Sequence, residues 1–232
     1  MKTLTISLAL ASMVFSALPA HADARREARW HLRVGADTDW QLDRGHDALT
    51  RNGGAWASAY LALGRTLATF GERWSLAGEV FYRGSGRQAV LYQALDTRFA
   101  SNALGVGAQL RYALAPWLQP YGGLQVAALR TDLTVTDRGT MESLESGAWS
   151  PLAMVSVGAL LQTPPLARGS RVRLGLTVEA VFRLGLPVGY DLRPETPSDE
   201  TLANDRLPVQ AVALGDLAPV GPTLRVAGVL RW

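Results

Sequence analysis

The 232-residue chain contains no cysteine. That absence excludes disulfide scaffolds, cysteine nucleophiles, iron–sulfur clusters and thiolate zinc sites together. Histidine is nearly as scarce, with only His21, His31 and His46, so metal chemistry would have to rest on carboxylates and very few imidazoles. No metal and no cofactor is expected. Lysine occurs once, at Lys2, and the remaining basic charge is arginine spread along the chain without a preferred patch. Past the first 22 residues, no stretch reaches the roughly 18 uninterrupted apolar residues that a membrane-spanning helix needs. What remains is a 48% hydrophobic chain, enough for one sizeable domain or one membrane barrel and tight for two domains.

Residues 1–22 carry Lys2, then the apolar run Leu8, Ala9, Leu10, Ala11, Met13, Val14, Phe15, then Ala20-His21-Ala22. Charge, short apolar core and a small-residue site in that order predict a cleaved signal peptide, leaving residues 23–232 as the working domain. Ala22-Asp23-Ala24 offers a second cleavage site two residues on. Without Lys2 the mature chain is close to neutral, so the basic pI does not by itself point to nucleic acid.

The mature chain alternates with period two. Across 171–184, Val172, Leu174, Leu176, Val178, Ala180, Phe182 and Leu184 share one face, and Arg171, Arg173, Thr177, Glu179 and Arg183 share the other. A helical period would scatter those charges around the axis, whereas a strand separates them. The same pattern recurs over 30–40, 74–83 and 104–112, and more faintly over 55–67, 118–131, 150–162 and 223–232. Eight strands are therefore expected. Their connections alternate between short (69–73, 113–116, 163–170) and long (41–54, 84–100, 132–148, 187–222). An even number of antiparallel strands with short turns at one end and long loops at the other is the pattern of an up-and-down transmembrane β-barrel, with both termini at the periplasmic end.

Tryptophan supports lipid over a soluble sandwich. All seven, Trp30, Trp40, Trp56, Trp74, Trp117, Trp149 and Trp232, fall at or beside strand ends, as two headgroup-level girdles require. Trp56 alone is out of phase with Ala57, Ala59, Leu61 and Leu63, and would reach lipid only through a bulge or slip. An eight-stranded lumen is just wide enough for side chains to fill. The polar faces put Glu79 and Glu179 there with Arg33, Arg83, Arg111, Arg173, Arg183 and Arg225, which predicts a charge-paired interior.

The last ten residues end in Trp232 with Leu230, Val226 and Leu224 in phase behind it, interrupted at Gly228. This resembles the C-terminal signal of outer-membrane barrels. Over residues 25–232 the chain resembles small eight-stranded barrels of the OmpA, OmpX and OmpW type. The resemblance implies the outer membrane of a Gram-negative bacterium, with lipid, lipopolysaccharide and the barrel assembly machinery as partners, and a monomer. It implies little about activity.

The loops offer little chemistry. His46 with Asp43 and Asp47, and the hydroxyls of Ser58, Ser85 and Ser146, are the candidates for a rim enzyme acting on envelope lipid, but no spacing joins them. His31 falls at the opposite, periplasmic end. Loop charge is balanced in the first long loop, +1 in the second, −3 in the third and −4 in the fourth. Nucleic acid is not an expected partner of such an acidic face. Residues 207–217 are unusually apolar. They would extend the last hairpin or, paired with 88–95, bring the count to ten strands, an arrangement that puts long loops at both ends. The expectation is a non-enzymatic structural or surface-interaction barrel, with at most a narrow solute path. The alternatives are the envelope-lipid enzyme and a soluble lipocalin-like binder.

Overall fold

The structure is a computed structural model that describes residues 29–42, 55–91, 93–167, 170–194 and 212–232. The leader assigned to residues 1–22 lies outside them. The described residues form ten strands and no helix: β1 Trp30–Asp39, β2 Trp56–Phe70, β3 Trp74–Leu91, β4 Leu95–Tyr112, β5 Leu118–Asp137, β6 Ser143–Gln162, β7 Arg173–Gly185, β8 Val188–Pro194, β9 Val212–Leu217 and β10 Gly221–Arg231.

Eight of the ten close a ring. Strands β1 to β7 pair antiparallel with their sequence neighbours, and β10 pairs with β7 on one side and β1 on the other. Following the register from Trp30 through Arg65, Gly78, Ala108, Leu124, Val155, Phe182 and Pro222 returns to β1 at Trp40. That ten-residue offset on eight strands sets a tilt of roughly 40°. The same ten residues then rise about 25 Å, the height of a lipid-facing apolar band.

Alternation lets this ring enclose a mixed interior, in which Phe81, Leu129, Leu152, Met154 and Val181 pack together beside buried charged residues. In β10 every second residue is buried and every intervening one exposed. Outside stand Val34, Leu61, Leu63, Leu104, Leu124, Val126, Val155, Val157, Leu176, Val178 and Phe182, none less than 41% exposed. So continuous an apolar surface at mid-height fits acyl chains and not water. Val178 sits on that face beside Val226 of β10 and Ala159 of β6. Val178→Arg is therefore expected to cost about 2–4 kcal/mol, as guanidinium at the bilayer midplane does in barrels. Urea titration in lipid vesicles checks this, with Val178→Leu expected to stay near wild type; equal stability of the Arg variant would mean that the face does not meet lipid.

Trp30, Trp232 and the short turns share one end. The tightest, Gly71–Arg73, begins with Gly71 at φ +61°, a backbone conformation that a Cβ disfavours. At the other end the structure corrects the sequence reading. Residues 84–100 and 132–148 are mostly strand: β3 and β4 pair up to Leu91↔Leu95, and β5 and β6 up to Thr136↔Ser143. The ladders persist because their polar residues still form cross-strand pairs, Ser85 with Ser101 at 2.7 Å and Thr136 with Ser143 at 2.8 Å. Inward-pointing Phe99 and Leu133 keep the alternation alive above the apolar band.

Trp56 is the second correction. It is 6% exposed and faces inward, in phase with Ser58 and Tyr60, so it belongs to no girdle and needs no slip. The one register shift in β2 is at Thr66/Ala68, the opposite end. The other six tryptophans point outward near the ends of the ring. Of the apolar 207–217 segment, the described part forms β9, which pairs with β8 as a hairpin outside the ring, and 88–91 simply continues β3. The ring therefore has eight strands, and β8 pairs with β6 at Leu144↔Pro194 and Glu145↔Arg193 without joining it.

Candidate functional site

The lumen is packed in layers, and β1 gives their order. Its inward residues His31, Arg33, Asp37 and Asp39, each 1% exposed, run from the short-turn end toward the long-loop end.

The middle layer is an ion-pair network. One nitrogen of Arg33 straddles Glu79 at 3.1 and 3.3 Å, and the other donates to Glu179 Oε2 at 2.8 Å. Glu79 Oε1 also accepts from Tyr60 at 3.1 Å and from Gln125 at 2.7 Å. Arg225 donates to Glu179 at 3.1 Å and grips Asp37 with two bonds of 2.8 and 3.0 Å, its guanidinium 3.7 Å from the centre of the Tyr60 ring. Register makes this row: Glu179, Arg225 and Asp37 are direct cross-strand partners on β7, β10 and β1.

Above it, Arg83 joins the two aspartates. It donates to Asp37 at 2.9 Å and to Ser58 at 2.9 Å, and also pairs with Asp39. Asp39 accepts from Ser58 at 2.6 Å and from Thr223 at 2.5 Å, with Arg183 at 3.6 Å. Below it the charges are only basic. Arg111 donates twice to Gln109 at 3.1 and 2.8 Å and lies 3.2 Å from His31 Nε2. Arg231 donates to Gln162 at 2.6 Å and Gln119 at 3.4 Å. The His31 ring fits because β2 offers Gly64 opposite; a Cβ there would stand 2.3 Å from the imidazole.

An apolar cap closes the long-loop end. Trp56, Phe99 and Leu133 of the ring pack against Tyr190, Leu192 and Leu217 of the β8–β9 hairpin, with Trp56 edge-on to Phe99 at 5.1 Å. Tyr190 shares a hydrogen bond with Thr131, and burial pushes its phenol above its ordinary pKa. Between cap and network lies a cavity lined by Arg83, Arg183, Thr131, Phe99, Tyr190 and Leu217, with room for about one water. Paired charges under an apolar lid hold the interior in one arrangement and leave no wide aqueous path.

Of the residues expected in the lumen, Arg33, Glu79, Arg83, Glu179, Arg183 and Arg225 meet in this network, and Arg111 adjoins it through His31. Arg173 does not. It is the first residue of β7, opposite Arg231 near the short-turn mouth and half-buried, and it makes none of the ion pairs among the described residues. The expected list had omitted Asp37, Asp39 and His31. Their signal was present, since alternation puts all three on the inward face of β1. The rim hydroxyls do not converge: Ser58 is inside on Asp39, Ser85 is bound to Ser101, and Ser146 is half-buried on β6. His46, Asp43 and Asp47 lie outside the described residues.

Leu224, Val226, Leu230 and Trp232 form one outward row, between 37% and 43% exposed, on the strand that closes the ring. Trp232 exchanges two 3.0 Å backbone bonds with Trp30, so the final residue is part of the seam.

The architecture defines a small, side-chain-filled, eight-stranded transmembrane β-barrel. No family model matches the chain, and no curated protein does. Solved structures similar to it include Ail, the attachment invasion locus protein of Yersinia pestis, at 10% identity and a TM-score of 0.46, over 88% of this chain and 98% of that one. Neisserial surface protein A is similar at 12% identity and a TM-score of 0.46, over 87% and 95%. A further structure of Ail, in complex with the heparin analogue sucrose octasulfate, shows 9% identity and a TM-score of 0.45, over 88% and 98%.

Proposed function

We propose that the chain is a monomeric outer-membrane barrel of a Gram-negative bacterium that holds a stiff polar platform at the cell surface for contact with a partner, and does no chemistry of its own. The observation that carries this reading is the unequal height of the wall. Strand β2 last pairs with β3 at Ser58↔Ser85, and β7 last pairs with β6 at Leu152↔Gly185. Beyond those pairs β3, β4, β5 and β6 continue as a four-stranded sheet. Its outward face carries Gln88, Arg98, Asp132 and Glu145, and its two tips are tied by Arg138, which pairs with Asp96 at 2.8 Å. A sheet held by ladder bonds presents side chains in fixed positions, so a partner loses little entropy in ordering them. The apolar exterior, the reverse of a soluble binding barrel, supports the membrane reading.

An epitope inserted between Gly139 and Thr140 tests both orientation and display. Antibody should label intact cells; labelling only after permeabilisation would overturn the orientation and with it the platform. Recovery of the protein in the soluble periplasm, without heat-modifiable gel mobility, would overturn the membrane reading itself.

A separate expectation concerns Trp232, which pairs with Trp30 at the seam. Deleting Trp232, or Trp232→Asp, is expected to lower barrel insertion and raise periplasmic degradation, while Trp232→Phe should be tolerated. Outer-membrane levels measured by fractionation check this, and equal levels for all three would leave Trp232 as a girdle residue only.

A further inference from the structure

At the long-loop end the outward guanidiniums of Arg130 and Arg138 have carboxylates on them, Asp132 and Asp96, both at 2.8 Å, while Arg98 stands exposed on the same face. The short-turn end is built differently. Its accessible ionised side chains, among the described residues, are Arg29, Arg65, Arg73 and Arg171, with Arg173 half-buried at the mouth, against the single carboxylate side chain of Glu72. Two of these arginines lie against aromatic residues of the tryptophan belt, with Glu72 adding to the stabilisation of Arg73 from beside it. Arg65 is the cross-strand partner of Trp30, with its guanidinium 5.5 Å from the centre of the indole. Arg73 donates to the Tyr112 hydroxyl at 3.0 Å, and the Tyr112 ring lies 4.8 Å from Trp74. Neither guanidinium has an ion-pair partner among the described residues.

We infer that this belt is a binding surface for anionic phospholipid headgroups of the periplasmic leaflet, with Arg65 and Arg73 as its phosphate-binding groups. The inference rests on the membrane reading above. Indole and phenol fix the depth of each guanidinium at the interface, because their rings favour the headgroup level. The Trp30 ring stabilises Arg65 and the neutral Tyr112 hydroxyl accepts from Arg73, neither neutralising the cation, so their charge remains available to an anion. The occupant follows from what must lie against the wall: the leucines and valines above the belt are covered by acyl chains, and the group at the end of an acyl chain is a phosphate. A guanidinium matches phosphate with two parallel donors. A headgroup with net negative charge is favoured over a zwitterionic one, whose ammonium offsets the phosphate.

Tryptophan fluorescence reads the preference directly, since Trp30 and Trp74 sit beside the two arginines. The full barrel is refolded into vesicles containing brominated phosphatidylglycerol or brominated phosphatidylcholine, and quenching gives the relative association of each lipid. Wild type is expected to prefer phosphatidylglycerol roughly fivefold for each guanidinium engaged. Arg65→Gln with Arg73→Gln should bring the ratio near one, Arg65→Lys with Arg73→Lys should retain most of the preference, and Arg130→Gln at the other belt should leave it unchanged. Equal quenching of wild type by both lipids, or a preference that survives the double Gln change, would overturn the inference. Absence of quenching by either lipid would instead overturn the membrane reading.

Discussion

Arg33→Met is expected to destabilise the folded barrel by about 3–5 kcal/mol, the cost of removing one partner from a buried ion pair. The size follows from what Arg33 joins. It contacts both Glu79 and Glu179, whose side chains are no more than 1% exposed, so its loss leaves two carboxylates with less than their charge compensated in a medium that cannot solvate them. Arg225 still reaches Glu179, while Glu79 keeps the neutral donors Tyr60 and Gln125, the nearby His31 and the more distant charge of Arg111. The triple change Arg33→Met, Glu79→Gln, Glu179→Gln removes the stranded charges as well, and should recover most of the loss. Urea titration in vesicles, followed by gel mobility of the folded form, measures both. A loss below about 1 kcal/mol for Arg33→Met, the value of a solvent-screened pair, would show that water penetrates the middle layer.

That network was half legible in the sequence, and the missing half has a physical reason. Period two tells which face a side chain takes, and it put Glu79, Glu179 and Arg33 inside; the same alternation holds for Asp37 and Asp39, which the expectation left out. It does not tell how strands slide past one another. Pairing Arg225 with Asp37 and Glu179 needs the register of β10 against both β1 and β7, and that register comes from ring closure with its ten-residue offset, not from either strand alone. The same gap misplaced Arg173, whose residue type and phase are right and whose height is wrong. Trp56 failed for another reason. Position at a strand end marks a girdle only if the phase agrees, and here the phase put indole under the cap against Phe99. The heights of β3 to β6 were hidden because an extramembrane hairpin is rich in Ser, Thr and charged residues, the composition of a loop, although its backbone forms a ladder.

The cap changes what the lumen can conduct. In wild type the ion-pair network and the apolar lid stand in series, so planar bilayers should show at most small, rare conductance steps. Glu79→Gln with Glu179→Gln leaves Asp37 and Asp39 as the described lumen carboxylates against Arg33, Arg83, Arg111, Arg183, Arg225 and Arg231. Uncompensated guanidiniums draw water into the middle layer and give the path an anion preference. The lid still blocks the long-loop mouth, because Trp56, Phe99 and Leu133 remain packed on Tyr190, Leu192 and Leu217. Steps in the Gln pair should therefore become more frequent but stay brief, limited by lid opening. Adding Leu192→Ser and Leu217→Ser loosens the lid, and should turn them into longer openings with the same anion bias, read from the reversal potential in a salt gradient. The two Ser changes alone should conduct little, since the charge network beneath them is intact. Steady wild-type channels that none of these changes alters would mean that ions bypass both barriers, and the filled lumen would not be the path.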